Sequence, residues 1–217
     1  MTTHRPANTF ADFVVSGSSH AAFTAAMAVV ENPDCAHNPL FLYGRTGSGK
    51  SHLLHAIASA MRARQRDVQH ESAETFVARL IDAIRADELG VCRRSLSTVD
   101  ALLLDDLPDV LDKPRTREGI FSTLEELLTQ GVQVVVASEN PPAEVIEQGS
   151  RPLFARALIA EISYPDEPAR FEIARRVAEL RSVPMNDDAL RLLANRLTGN
   201  PREIQSSIAR IAAESLQ

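Results

Sequence analysis

Short apolar runs alternate with amphipathic stretches along most of the chain. Four of the runs have the length and apolar content of buried strands, at residues 39–43, 99–104, 132–138 and 158–162, and residues 66–71 predict a more polar fifth strand. Between them, apolar residues recur with helical spacing at 19–30, 51–58, 74–87 and 118–129. This alternation predicts an α/β domain in which a parallel sheet is sandwiched by helices.

The pattern changes near residue 163. Residues 163–168 contain two prolines and a cluster of polar residues, and after them only helical patterns follow, at 168–181, 187–197 and 200–216. The Gly199-Asn200-Pro201 stretch ends one of these helices and begins the next, with proline in the first turn. We therefore predict an α/β domain over residues 1–163 and a small all-helical lid subdomain over residues 164–217.

A glycine-rich stretch interrupts the pattern between an apolar strand and a helix. Residues 44–51 read Gly-Arg-Thr-Gly-Ser-Gly-Lys-Ser, which fits the phosphate-binding loop G-x-x-x-x-G-K-S of nucleoside triphosphatases. The glycines let main-chain N–H groups approach phosphate oxygens, Lys50 can reach the β- and γ-phosphates, and the Ser51 hydroxyl can bind Mg²⁺. A glycine-rich turn without a ligand is the alternative, but the strand before and the helix after favour phosphate binding. The predicted nucleotide-binding residues of this stretch are Thr46, Gly47, Ser48, Gly49, Lys50, Ser51 and His52.

Acidic residues follow two of the predicted strands. Asp105 and Asp106 end the apolar run at 99–104, and we expect Asp105 to hold Mg²⁺ through water and Asp106 to orient the attacking water. A helix cap or turn is the alternative for this pair. Glu139 follows the run at 132–138, where a polar side chain can contact the γ-phosphate or the catalytic water.

Other candidate ligand contacts lie outside these motifs. The backbone of Val14 and Val15 is a candidate lining for an adenine pocket. Arg202 falls at a predicted helix N-terminus, where a cation opposes the helix dipole, so we expect it to serve a ligand, although it could be a surface arginine. The basic residues at 113–117 either form a solvated loop or contact the backbone of single-stranded nucleic acid.

Composition narrows the functional classes. The 217 residues carry 29 acidic and 23 basic side chains, a net charge of −6, which argues against non-specific duplex binding by the whole surface but not against a local basic patch. Cys35 and Cys92 do not form a metal-binding spacing, which favours reduced thiols. Because the sequence shows neither a signal peptide nor an apolar run of about 18 residues, we expect a cytoplasmic protein without a membrane span.

Several motifs together resemble the family of the bacterial replication initiator DnaA. The resemblance rests on the segments at 8–15, 38–44, 52–56, 99–106 and 200–204, and it extends over residues 8–216. It implies an AAA+ module that binds ATP or ADP with Mg²⁺, assembles with itself or with an initiator in the presence of ATP, and acts in replication initiation or its regulation. Arg202 matches the family's second sensor arginine, and Glu139 stands where the family has its first sensor, an aspartate.

The resemblance also implies contacts to partners. The family's arginine finger lies in an Arg-Leu-x-Ser-Arg-Phe segment that completes the site of a neighbouring subunit, and here the shorter segment at 151–157 offers Arg156 as the finger and Arg151 as its companion. Hydrolysis by the chain alone is then expected to be weak. The family's single-stranded DNA contacts correspond to Lys113 and Arg115, with Ile81 behind them.

Two alternatives to an initiator module remain open in the sequence. The family's N-terminal interaction domain and C-terminal helix-turn-helix domain are not found in the sequence. We therefore expect an excised module or a short paralogue such as the Hda regulator. The Gln-Leu-x-Leu-Pro-Leu motif with which that regulator binds the sliding clamp is absent from residues 1–13. A nucleotide-gated adaptor of this kind would turn over little ATP. The second alternative is a loader of the replicative helicase.

Overall fold

A parallel sheet forms the centre of the α/β part of the protein. The computed structural model describes residues 8–32, 37–107, 114–141 and 155–214, the side chains of 114–117 excepted. Within these ranges five strands pair in the order β2-β3-β4-β1-β5. Their bounds are β1 Leu40–Tyr43, β2 Val68–Ser72, β3 Ala101–Asp105, β4 Gln133–Ser138 and β5 Leu158–Glu161. The predicted strands, including the polar one, and the parallel sheet are thus confirmed.

Helices cover both faces of this sheet. Their bounds are α1 His20–Glu31, α2 Lys50–Ala63, α3 Ala73–Arg85, α4 Leu89–Leu96 and α5 Pro114–Thr129. Helix α4 has no counterpart in the sequence prediction, because it buries only Leu96 and so lacks a clear apolar stripe. Helix α5 begins at Pro114, ahead of the predicted start at residue 118, as proline is well suited to the first turn of a helix.

The core has one layer on each face of the sheet. Side chains of β3 alternate between the layers: Leu102 and Leu104 pack with α3 and α5, whereas Ala101 and Leu103 pack with α1 and α2. Burial on both faces explains why the inner strands β1, β3 and β4 are continuous apolar runs, whereas the edge strand β2 is polar and only partly buried.

Three further helices follow the sheet and share a buried cluster of their own. They are α6 Glu167–Leu180, α7 Asp187–Arg196 and α8 Pro201–Glu214, and their cluster contains Ala174, Ala178, Leu190, Ile204 and Ile208. Side-chain caps fix where two of them begin, since Ala169 N–H donates to Asp166 Oδ1 at 3.0 Å and Ala189 N–H to Asn186 Oδ1 at 2.9 Å. Among the helices of the described ranges, none is long and apolar enough to cross a bilayer.

Candidate nucleotide-binding site

The phosphate-loop motif connects β1 to α2. Gly47 and Gly49 have φ values of 75° and 116°, in the left-handed region that favours glycine, and Gly49 is the residue preceding α2. The helix therefore begins at Lys50, and its first free N–H groups lie at the loop. This arrangement places a helix N-terminus and several loop amides at one point, which is a favourable environment for an anion.

Lys50 is buried at the base of the loop. Only 7% of the residue is exposed, and its Nζ donates to the carbonyl oxygens of Gly44 at 2.6 Å and Arg45 at 3.2 Å. Burial lowers the pKa of Lys50, while the carboxylates of Glu139, Asp106 and Asp105 act in the opposite direction. The ammonium group thus lies in the field of the acidic residues that end two neighbouring strands.

Those acidic residues line the same cavity as the loop. Asp105 ends β3, and Asp106 follows it with a φ of 54°, a left-handed conformation that aspartate tolerates better than most residues. Leu107 N–H then donates to Ala137 O at 2.8 Å, which fixes the chain after β3 to the end of β4. Glu139 follows β4 directly.

An aromatic cluster forms another wall of the cavity. The Phe13 ring lies 5.8 Å from that of Phe23 and 5.2 Å from the His52 imidazole, measured between centroids. His52 Nε2 lies 2.9 Å from Thr9 O, and burial lowers the pKa of His52, so the neutral ring with a proton on Nε2 is the form that donates to Thr9. Phe13 and His52 line the cavity, and their rings give this wall a flat surface that suits a planar base.

Helices α6, α7 and α8, named the lid helices below, lie on the remaining side, and α6 and α8 line the cavity. Arg202, in the first turn of α8, lines the cavity together with Ile173 and Val177 of α6. Arg176 Nη1 donates to Ala11 O at 2.9 Å, which joins α6 to the segment before α1. The cavity has a volume of about 1370 Å³. It is therefore larger than the roughly 300–1,000 Å³ of a typical small-molecule site and can hold a nucleotide with solvent.

Most of the sequence-predicted site residues meet in this cavity. Those that line it are Val14, Thr46, Gly47, Ser48, Gly49, Lys50, Ser51, His52, Asp105, Asp106, Glu139 and Arg202. The convergence brings together residues from the phosphate loop, from the ends of two strands and from the lid, which are far apart in the sequence.

The other predicted site residues lie elsewhere. Val15 is outside the lining and is 39% exposed. Arg156 is exposed in the turn before β5 and does not line the cavity, and Ile81 is partly buried against the core on α3. The predicted residues that fall outside the described part of the chain are Arg151, Lys113 and the side chain of Arg115.

Sequence reasoning missed several residues that shape the cavity. In the sequence, Phe13 is indistinguishable from a core residue, yet its ring lies against Gly49, 3.0 Å from the position of a Cβ there. Arg176, Tyr164 and Asn200 also contact the loop or the segment before α1. The Asn-Pro-Arg stretch at 200–202 is a usable signal for Asn200, whereas nothing local distinguishes Arg176 from the arginine that precedes it.

The donor set suits a magnesium ion bound mainly through phosphate and water. The Ser51 hydroxyl and the Asp105 carboxylate are the candidate ligands, and both residues line the cavity. Mg²⁺ keeps several waters and is usually held by one or two carboxylates together with substrate phosphates. In the described ranges no cluster of three or more His, Cys, Asp or Glu residues could hold a metal without such help.

The strand order and the position of the loop define the class. A five-stranded parallel sheet with a phosphate loop between β1 and α2, followed by a helical cluster that reaches back to the loop, is the P-loop fold of AAA+ ATPases.

The comparisons with known proteins identify the family within that class. Residues 5–157 match the bacterial DnaA ATPase domain. The chromosomal replication initiator protein DnaA of Thermus thermophilus is 37% identical over 212 residues, covering 96% of this chain and 49% of that protein. The chain therefore belongs to the family of bacterial DnaA ATPase domains, and it spans about half the length of the curated relatives it matches.

Solved structures agree with this assignment. Domain III of the Thermotoga maritima replication initiation protein DnaA has a TM-score of 0.86 and 31% identity, covering 94% of this chain and 87% of that one. A structure of the replication initiator DnaA bound to AMPPCP and single-stranded DNA has a TM-score of 0.85 and 26% identity, covering 95% of this chain and 65% of that one.

Proposed function

We propose that the chain is an ATP-binding AAA+ module that acts in chromosomal replication initiation or its regulation. It binds ATP or ADP with Mg²⁺ between the sheet and the lid helices. The observation that carries the proposal is the convergence on one cavity of the loop with Lys50, the acidic residues after β3 and β4, and Arg202 from α8.

Several groups of the chain contact the nucleotide phosphates in the proposed complex. Amides of residues 47–51 donate to phosphate oxygens, and the Lys50 ammonium exchanges its two carbonyl partners for the β- and γ-phosphates. Mg²⁺, when bound, neutralises charge on the phosphate oxygens, and Ser51 and Asp105 would hold it. Asp106 and Glu139 orient the attacking water, and Arg202 contacts the phosphates from the lid side.

Hydrolysis by the isolated chain is slow in this proposal. Arg156, the residue at the position of the family's finger, is exposed and lies outside the chain's own cavity, which suits a group offered to a neighbouring subunit. An arginine supplied by a partner is worth about 10³–10⁵ in rate. ATP therefore promotes assembly with a second copy or with an initiator, and assembly promotes hydrolysis.

Steady-state hydrolysis tests this function. Wild-type protein should show weak, Mg²⁺-dependent release of phosphate. The turnover per chain should rise with protein concentration, because each site is completed by a neighbour. Lys50→Ala should abolish it, and Arg156→Ala should lower it while leaving nucleotide binding intact. Equal and robust hydrolysis by the wild type and Lys50→Ala would contradict the assignment.

We also propose that the chain binds single-stranded DNA. The solved relative bound to single-stranded DNA motivates it, and α3, which carries Ile81, packs against α5, which begins with Pro114 and Arg115. Removing both charges with Lys113→Ala and Arg115→Ala should weaken binding of an oligonucleotide and reduce its salt dependence. Affinity unchanged in the double variant would remove this part of the proposal.

A further inference from the structure

Two side chains that follow the last strand in the sequence contact one peptide unit of the phosphate loop. The Tyr164 hydroxyl, in the segment between β5 and α6, donates to Thr46 O at 3.1 Å. The Asn200 side chain, immediately before α8, packs directly on Gly47, so closely that a Cβ at this position would overlap its amide group. Thr46 and Gly47 are joined by the same peptide bond, and both line the nucleotide cavity.

The hydrogen bond from Tyr164 has a consequence for the neighbouring amide. A trans peptide unit is planar, and its C=O and N–H groups point in opposite directions. Anchoring the Thr46 carbonyl toward Tyr164 therefore fixes the direction of the Gly47 N–H on the other side of the unit. That N–H is one of the loop amides available to a phosphate oxygen.

Asn200 is itself held firmly. Its Oδ1 accepts the N–H of Arg202 at 2.8 Å, and its backbone carbonyl accepts the N–H of Glu203 at 2.9 Å. The side chain is thus part of the first turn of α8, the same turn that presents Arg202 to the cavity. Its contact with Gly47 depends on a residue without a Cβ, so the lid and the loop are matched in shape at this point.

We propose that Tyr164 and Asn200 are positioning residues that hold the Thr46–Gly47 peptide unit with its N–H toward the bound phosphates. Asn200 also couples the lid helices to the loop, since its contact with Gly47 is lost if these helices move away. The inference rests on the proposed nucleotide-binding function and adds the residues that preorganise the loop.

The first test removes one hydroxyl group. Tyr164→Phe keeps the ring and should weaken binding of a fluorescent ADP and of ATP by about two- to tenfold, the value of one hydrogen bond. The melting temperature of the protein without nucleotide should fall by no more than a few degrees, because only one hydrogen bond is lost. Tyr43→Phe is the matched control, because the chain's other tyrosine also donates a hydrogen bond at 3.1 Å, but to Glu161. Its affinity should equal that of the wild type.

The second test separates the loop contact of Asn200 from its role as a helix cap. Asn200→Ala and Asn186→Ala each remove a capping side chain from a lid helix, so both should lower the melting temperature to a similar extent. Only Asn200→Ala should also weaken nucleotide binding. Equal nucleotide affinity of the two variants would show that Asn200 only caps the helix and would overturn its positioning role.

A spectroscopic measurement reports the peptide unit directly. The chain has 9 glycines, so selective ¹⁵N-glycine labelling gives a simple amide spectrum, in which triple-resonance experiments on uniformly labelled protein assign Gly47. Tyr164→Phe should move the Gly47 resonance and reduce its shift on addition of ADP, and Tyr43→Phe should do neither. A Gly47 resonance that is identical in wild type and Tyr164→Phe would overturn the inference.

Failure of this inference can be told apart from failure of the proposed function. If Lys50→Ala binds nucleotide as well as the wild type does, the nucleotide site itself is wrongly placed. If Lys50→Ala loses binding while Tyr164→Phe and Asn200→Ala keep wild-type affinity, only the positioning role is overturned.

Discussion

Lys50 is one of two lysines in the chain, and the other is Lys113. The Lys50 Nζ donates to two loop carbonyls, and burial lowers its pKa from the ordinary value of 10.5. Phosphate groups beside it would add negative charge and raise that pKa again. The pH at which Lys50 loses its proton should therefore depend on nucleotide binding.

We expect ATP with Mg²⁺ to protect Lys50 from a reagent that acylates neutral amines. Without nucleotide, the pH at which Lys50 becomes reactive should lie below its ordinary pKa, and ATP should move it upward while blocking access. Mass spectrometry of the two lysine-containing peptides measures the rate of acylation at each lysine, with Lys113 as the internal reference. Identical labelling of Lys50 with and without ATP would contradict the placement of the phosphates.

Protonation of His52 should make the stability of the fold depend on pH. Its pKa is lowered by burial from an ordinary value of 6.5, so the folded state binds its proton more weakly than the unfolded state does. The contribution of the neutral ring is fully present above pH 6.5 and is lost as the pH falls below that value, with a slope of at most about 1.4 kcal/mol per pH unit.

Thermal unfolding between about pH 7 and pH 5 measures this slope. His52→Gln cannot titrate, and we expect its stability to fall less steeply than that of the wild type. A residual slope should remain, because burial also lowers the pKa of His70. Parallel curves for the two proteins would show that the wall formed by Phe13 and His52 does not depend on the neutral imidazole.

Among the elements, β3 links the fold to the site most directly. Its apolar residues are fully buried between the two helical layers, and its last residue is Asp105. The residues that build the core therefore also set the position of the carboxylate at the cavity. Truncating a buried side chain of this strand should therefore destabilise the fold.

Replacement of Leu103 by alanine tests this. The side chain is 0% exposed, and its truncation should lower the free energy of unfolding by about 2–5 kcal/mol. Leu192→Ala on α7 is the control, because that leucine is 53% exposed and its loss should cost little. Chemical denaturation of both variants makes the comparison, and equal losses would argue against the described core.

The elements also show which features the sequence could predict. The inner strands β1, β3 and β4 were predictable because burial on both faces makes them unbroken apolar runs. The loop was predictable because its chemistry fixes residue types at fixed spacing. Helix α4 was not predictable, since it buries a single residue, Leu96. Tyr164 and Arg176 reach the site through tertiary packing that no local pattern encodes, whereas the Asn-Pro-Arg stretch at 200–202 is a local signal for Asn200.

At the scale of the whole molecule, the cavity lies between two separately packed clusters. The sheet supplies the loop and the acids, and the lid helices supply Arg202. A ligand that contacts both should stabilise the closed arrangement, by about 2.7 kcal/mol when present at 100 times its dissociation constant. Nucleotide-dependent assembly is the further expectation, with the exposed Arg156 as the contributed group.

Light scattering with ATP and with ADP tests assembly. We expect a larger mean mass with ATP, and we expect Arg156→Ala to bind ATP normally but to remain smaller or to hydrolyse it more slowly. Arg210→Ala is the control, because it removes another exposed arginine, on α8, that does not line the cavity. Equal masses with both nucleotides at all concentrations would contradict the assembly proposal.

The central claim is that a nucleotide binds with its phosphates at the loop and beside Lys50. Isothermal calorimetry with ATP and Mg²⁺ on wild type and Lys50→Ala tests it most directly. We predict one ATP per chain for the wild type, weaker binding when Mg²⁺ is withheld, and a loss of at least about 1.4 kcal/mol, or tenfold in affinity, in the variant. Absence of heat from the wild type, or equal affinity in the variant, would contradict the account.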